Sequence, residues 1–398
     1  MKARSFLFQF AFAALSVSTT GAVHAQTVKI GLVTSTSGAG ALLGEHMVKA
    51  AKLYMSKHDG SLPPNVKVEL IVRDDGGPSP DKAKQLAQEL IVSERVNFLT
   101  GFVWSPNAAA VAPLSTEAKI PTVLMNAGAS ANITLSPYFT RFSFGTSTAP
   151  YYLGAWAGKR YKTVYIAVAD YGPGFDSESA FESGFKKNGP GKIVGRVHMP
   201  VTTTDFVPYL QHVKDTRPDA LFVFVPTGRI GANLVKSFKD LGLDQAGIKL
   251  IGTGDISADE ELPSMGKAAL GIITVHHYSG AGDRPATKAF NASWAKAYGN
   301  DSIPSFAAIQ AWDAMDAIYK AIIVQGGKVD PDKTMKILRN YKSDSSPRGL
   351  ISIDPQTRDI RQNEYVREVK MVDGKLANVE IGIAGKQVLD PWVEANRK

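Results

Sequence analysis

Apolar and polar positions follow two rhythms along this chain. Residues 28–34 are a short apolar run, the mark of a buried strand. Leu43, Met47, Ala50, Ala51 and Tyr54 then fall at helical spacing and make one apolar face. Val66, Val68, Leu70 and Val72 alternate strictly, giving a second strand that ends at Asp74-Asp75. A helix is predicted over 81–94, with Leu86, Leu90 and Ile91 on one face. A strand over 97–101, a small-residue helix over 107–118 and a strand over 120–125 follow. This βαβαβαβ order predicts a parallel, doubly wound sheet.

A second copy of the pattern begins near residue 149. Helices are predicted over 151–159, 177–187, 206–216 and 230–241. Strands are predicted over 164–169, 193–197, 220–225, 250–253 and 271–276. Helices over 286–298, 306–324 and 332–340 come next. The last section changes character: 350–353, 365–372 and 376–380 read as antiparallel strands, with Asp373-Gly374 as a hairpin turn. Two similar α/β halves imply a cleft between them. Ligands of open parallel sheets bind beyond the carboxyl ends of the strands. The loops that follow the strands, at 34–44, 74–80, 102–107, 126–132, 170–175, 226–231, 254–257 and 277–280, are therefore the candidate walls.

The first 25 residues have a different pattern. Lys2 and Arg4 give a positive start, and 6–17 is an apolar run broken only by Gln9 and Ser16. Small and polar residues lead to Val23-His24-Ala25. This is the layout of a secretory signal peptide, with cleavage expected after Ala25 and a periplasmic mature chain. The run is about a dozen residues, too short for a span of roughly 20. Later, 307–324 is interrupted by Gln310, Asp313, Asp316 and Lys320, so no membrane anchor is expected.

The remaining chain carries 43 basic and 37 acidic residues once Lys2 and Arg4 are set aside, a net +6. No basic run interleaved with aromatics appears, so nucleic acid is not an expected partner. The chain has no cysteine, which excludes thiol nucleophiles and thiolate metal sites. Gly38, Gly40 and Gly44 are spaced G-x-G-x-x-x-G, one residue off the dinucleotide fingerprint. Their plainer reading is a glycine-rich start to a helix whose free N–H groups can hold an anion. His276-His277 is the one histidine pair. Neighbours on a strand point to opposite faces, so they make poor joint metal ligands. No HExxH, GxSxG or P-loop is present. A binding protein without cofactor or metal is expected, rather than an enzyme.

The candidate loops carry a resemblance. It rests on Ile30-Gly31 with Gly44, Asp74-Asp75 with Pro80, Gly101 with Ser105, and Ile120-Pro121. It continues through 126–130 (Asn-Ala-Gly-Ala-Ser), Asp170-Tyr171-Gly172, Thr204-Asp205-Phe206, Pro218-Asp219-Ala220 and 252–255 (Gly-Thr-Gly-Asp). In order and spacing the chain resembles the periplasmic Leu/Ile/Val-binding proteins, the type I substrate-binding subunits of ABC importers, from residue 28 to about 380. The resemblance implies two doubly wound domains joined by a three-crossover hinge, with a ligand cleft between them. The expected crossings are near 145–149, 272–278 and 345–350. One lobe would take 27–146 and 275–348, and the other 147–274 and 349–398.

The resemblance also places the ligand. Its carboxylate would meet Ser105, Gly128 and Ser130, its ammonium Asp255, and its flank Tyr171. Ser hydroxyls donate and a glycine lets backbone come close; the same serines could equally cap helices. The chain departs from the family where Leu43 replaces a tyrosine and where 226–229 lacks an aromatic residue. Trp104 stands beside Ser105 as a new aromatic, in the pocket or in the core, and His277-Tyr278 adds more. The expected function is amino-acid import, branched-chain or related, as a monomer serving a membrane permease. The alternatives are capture of an aromatic or other small carboxylic acid, or ligand sensing on a receptor.

Overall fold

The computed structural model describes residues 26–397, so the expected signal peptide lies outside the described residues. Strands and helices alternate first through β1 (Gln26–Thr34), α1 (Ala41–His58), β2 (Val66–Asp74), α2 (Pro80–Val92), β3 (Phe98–Gly101) and α3 (Ser105–Glu117). Strands β4 (Thr122–Leu124) and β5 (Phe139–Arg141) complete this section. The five strands stand in the order β2-β1-β3-β4-β5, all parallel. Strand β5 is absent from the sequence reading, because three residues are too few to carry a period.

The chain then forms α4 (Thr148–Gly158), β6 (Thr163–Ala169), α5 (Gly172–Asn188), β7 (Lys192–Met199), α6 (Val207–Thr216) and β8 (Ala220–Phe224). It continues through α7 (Arg229–Asp240), β9 (Lys249–Thr253), the single turn α8 (Leu262–Met265) and β10 (Ile273–His276). Helices α9 (Pro285–Tyr298), α10 (Phe306–Val324) and α11 (Pro331–Arg339) follow. The end is β11 (Lys342–Ser343), β12 (Ile351–Ile353), β13 (Ile360–Val372), β14 (Lys375–Val388) and α12 (Pro391–Ala395). Strands β7-β6-β8-β9-β10 are parallel, and β13 joins β10 antiparallel, with β14 and β12 beside it. Asp373 and Gly374 turn the β13–β14 hairpin with φ of 48° and 77°. A two-residue turn that matches strand twist needs positive φ at both positions.

Alternation along each strand sends side chains to opposite faces. Val28, Ile30 and Leu32 meet Met47 and Tyr54 of α1 and Ile318 and Ile322 of α10 on one face. Val33, Leu99 and Leu124 meet Ala83 and Leu90 of α2 and Val111 of α3 on the other. Burial of each large side chain contributes roughly 1.5–3 kcal/mol. Close contact of helix and strand requires glycine at two matching places. A methyl on Gly44 would stand 1.8 Å from the Ser35 carbonyl oxygen, and one on Gly174 1.8 Å from that of Ala169. Helix α5 therefore starts at Gly172, earlier than the expected 177. Pro173 fits its first turn, where an N–H has no helical partner anyway.

The lobe boundaries differ from expectation at the end of the chain. Ile351 and Ile353 of β12 sit in the core of the first lobe. Leu389 and Val393 pack beside Ile133 and Phe139, also in the first lobe. The expected assignment of 349–398 wholly to the second lobe is thus corrected: β13 crosses over, β14 returns, and α12 docks on the first lobe. Buried arginines tie the crossing segments. Arg348 donates to Asp313 Oδ2 at 2.8 Å, to the carbonyls of Phe142 and Ser143 at 2.6 and 2.9 Å, and to Gln362 Oε1 at 2.8 Å. Arg141 donates to Asp359 Oδ1 at 2.6 Å and to the carbonyls of Gly128 and Ala129 at 3.1 and 3.0 Å.

Candidate ligand-binding site

The carboxyl ends of both sheets open on one cavity of about 50 Å³. From the first lobe come Gly40 and Leu43 at the start of α1, Trp104 and Ser105 at the start of α3, and Asn126 and Gly128 after β4. From the second come Tyr171 after β6, Phe224 and Thr227 at the end of β8, and Asp255 after β9. Phe144 and Thr146 in the first crossing and Phe306 at the start of α10 close the back.

Ser105 is the first residue of α3, an end that no side chain caps. Its Oγ accepts the Ala129 N–H at 3.0 Å, which fixes the loop holding Gly128. The uncapped helix start is favourable to negative charge. A methyl at Gly128 would lie 2.9 Å from the Phe144 ring, so only glycine fits there without displacement. Trp104 is pinned across the start of α1, its Nε1 donating to Ser35 Oγ at 3.2 Å and to the Ala39 carbonyl at 3.3 Å. It lines the pocket rather than the core interior.

Ser130 does not join these residues. It is fully buried and its Oγ is held by Asp390 Oδ2 at 2.8 Å and Ser147 Oγ at 2.9 Å. It fastens α12 to the first lobe and does not line the cavity where the sequence reading expected it. Tyr278 also points away, its hydroxyl 3.3 Å from Asn291 Oδ1, and His277 lies behind Phe144, stacked on it at 5.5 Å.

On the second lobe, Tyr171 stacks on Phe224 with ring centres 6.3 Å apart. Burial, with the nearby Asp255 charge, holds the tyrosine hydroxyl well above its ordinary range. Asp255 is buried, with Thr227 Oγ1 donating to Oδ1 at 2.8 Å and Thr253 Oγ1 to Oδ2 at 2.7 Å. Burial raises its pKa above the usual carboxylate value, while those hydroxyls and the Arg367 charge pull the other way. Phe144, Phe224 and Phe306 were not expected. Phe224 ends a strand and so had a locatable position, whereas Phe144 and Phe306 come from the crossing and a remote helix with no local signal. Among the described residues, no group of three or more His, Asp or Glu is placed to hold a metal ion.

The model of the periplasmic binding protein family matches residues 27–375. The chain belongs to the periplasmic binding protein family. It is 39% identical over 376 residues to the Leu/Ile/Val-binding protein homolog 6 of Brucella melitensis biotype 1, covering 94% of this chain and 95% of that one. Its structure superposes on a solute-binding protein of an ABC transporter from Rhodopseudomonas palustris BisB5, solved in complex with 3,4-dihydroxybenzoic acid. The TM-score is 0.87 at 43% identity, over 92% of this chain and 99% of that one. A second solute-binding protein, from Rhodopseudomonas palustris HaA2 in complex with p-hydroxybenzoic acid, gives 0.88 at 40% identity, over 93% and 100%. The leucine-binding protein of Thermotoga maritima shares the fold at 22% identity, with a TM-score of 0.77 over 89% and 99% of the two chains. The type I binding-protein fold expected from the sequence is thus present, and family and fold are those of binding proteins.

Proposed function

We propose that this chain captures a hydroxylated aromatic carboxylate in the periplasm and delivers it to the permease of an ABC importer. The observation that carries this reading is the wall of rings around the cavity: Trp104, Phe144, Tyr171, Phe224 and Phe306. Flat aromatic walls suit a flat ring, since offset and edge contacts between rings add to area burial. The ligand carboxylate meets Ser105 and the loop at Gly128. A ring hydroxyl on the opposite side meets Asp255. No bond is made or broken; charge-assisted hydrogen bonds in a desolvated cleft supply affinity. Solved relatives at 40–43% identity hold hydroxybenzoates, which supports the same ligand class here.

The rival reading is a branched-chain amino acid, favoured by the names of the Brucella relatives. Asp255 would then face an ammonium. Isothermal titration with 4-hydroxybenzoate and with leucine separates the two. The expected result is saturable heat with 4-hydroxybenzoate and none with leucine. Binding of leucine alone would return the protein to amino-acid capture.

A further inference from the structure

Asp74 ends strand β2 and Asp75 follows it, and the ligand reading above uses neither. Asp74 takes the N–H groups of Thr36 and Ser37 at 2.8 and 3.3 Å and the Ser37 hydroxyl at 2.5 Å. Asp75 is 1% exposed and takes the Ser35 hydroxyl on Oδ1 at 2.5 Å. Together the two acids fix residues 35–37, the start of the loop between β1 and α1. A carboxylate is costly to bury unless hydrogen bonds satisfy it. The donors that reach Asp75 are all neutral. Besides Ser35 they are the Gly77 N–H, 3.2 Å from Oδ1, and Asn107 Nδ2, 2.8 Å from Oδ2. The Gly77 bond is a local turn contact, ordinary for an aspartate at a strand end. The other two bonds reach distant segments, and both segments lead to the cavity.

Asn107 stands two residues after Ser105 in the first turn of α3. Its Nδ2 also donates to the Gly77 carbonyl at 2.9 Å, so two acceptors fix that end of the amide. Ser35 Oγ meets Trp104 Nε1 at 3.2 Å. An indole nitrogen only donates. Ser35 must therefore accept from Trp104 and send its own proton to Asp75. The chain from Trp104 through Ser35 to Asp75 runs one way and ends on a carboxylate, so each link strengthens the next. The second acceptor for the indole, the Ala39 carbonyl at 3.3 Å, lies on the same loop. A methyl on Gly40 would come within 3.2 Å of Nε1, so the loop backbone closes on that edge of the ring.

We infer that Asp75, which lines no part of the cavity, is the positioning residue for Trp104: through Ser35 it holds the indole at one setting, and that fixed wall selects flat rings over puckered ones. The inference rests on the aromatic-carboxylate reading above. Without the tie the indole keeps only the Ala39 bond. It is then free to turn about its side-chain torsions, and the wall gives way to a thicker ring.

Titration of the whole mature protein with 4-hydroxybenzoate and with trans-4-hydroxycyclohexanecarboxylate tests this. The two acids carry the same polar groups and differ in the thickness of the ring. Wild type should bind the flat acid at least about tenfold more tightly, the scale of overpacking a fixed site. Asp75→Ala and Ser35→Ala should each cut that preference to about threefold or less, as a wall released from its hydrogen bond yields. Each should also move the Trp104 indole N–H proton resonance upfield, the resonance being identified by its loss in Trp104→Phe. Ser35→Ala removes a single hydroxyl, so it decides the matter if Asp75→Ala fails to fold. On a Trp104→Phe background, which has no indole donor, Ser35→Ala should change the preference no further. A preference that stays unchanged in the single variants would show that Asp75 only shapes its turn, and would overturn the inference. So would equal affinities of wild type for the two acids, or an effect of Ser35→Ala that persists on the Trp104→Phe background. If neither acid binds, the ligand reading itself fails. The indole resonance then decides the tie alone: a shift in Ser35→Ala upholds it and an unmoved resonance overturns it.

Discussion

Two serines illustrate how little residue type says without position. Ser105 and Ser130 both follow strands of the first lobe, yet only Ser105 reaches the cavity. The Ser130 hydroxyl is taken by Asp390, which arrives from the far end of the chain. Ser105→Ala should weaken ligand binding by about 1.5–3 kcal/mol, the worth of a hydrogen bond to a charged group, and lower stability by about 0.5–1.5 kcal/mol because the Ala129 N–H loses its acceptor. Ser130→Ala should act on stability alone. It leaves a buried carboxylate oxygen with one donor fewer, so stability should fall by about 1–3 kcal/mol while affinity stays near wild type. Calorimetric unfolding and isothermal titration on the two variants decide the pair. A matching loss of affinity in Ser130→Ala would put that residue back among the ligand contacts.

At the scale of elements, the strand ends carry the site and the crossings hold it in register. Arg141, the last residue of β5, joins the two tasks. It pairs with Asp359 just before β13 and also grips the carbonyls of Gly128 and Ala129, in the loop that lines the first-lobe side of the cavity. Both charged groups are fully buried. Removal of one partner leaves the other as an uncompensated buried charge, which costs about 3–5 kcal/mol. Arg141→Met should therefore lower unfolding free energy by that amount and weaken ligand binding as the Gly128 loop loosens. Denaturant unfolding and titration measure the two effects. Arg141→Met paired with Asp359→Leu should regain much of the stability, because the lone charge is then gone, but not the affinity.

At the scale of the whole molecule, the hinge region carries acids that fold best when protonated. Glu364 titrates near 8 in the folded protein, against an ordinary value of 4.5. The folded state then binds a proton that the unfolded chain has lost, so stability falls as pH rises through that window. Glu364 contributes most below about pH 4.5, loses this contribution progressively up to about pH 8, and is flat above. Asp313 and Asp390, raised by burial to about 6 from 3.8, add to the same downward slope between those two pH values. Glu364→Gln cannot ionise. Its stability relative to wild type should grow from pH 4.5 to 8 and then level off, as read from urea unfolding at a series of pH values. A constant difference across that range would show that Glu364 is ionised when folded.

The hydrophobic pattern by itself determined the number and order of nearly all elements. A period of 2 or 3.6 over five or more apolar positions leaves one way to bury them, and βαβ repetition leaves a parallel sheet. It also determined which strand ends carry loops; within those loops the resemblance to the Leu/Ile/Val-binding proteins, and not the pattern, pointed to Ser105, Gly128, Tyr171 and Asp255, and Trp104 stood out as a departure from it, and all five line the cavity. Strand β5 escaped because three residues hold no period. The tertiary structure alone decided which lobe the end of the chain joins, that Ser130 faces Asp390, and that Phe144 and Phe306 close the cavity. Those contacts join residues far apart in sequence, and their energies depend on distance and burial, which no local pattern encodes.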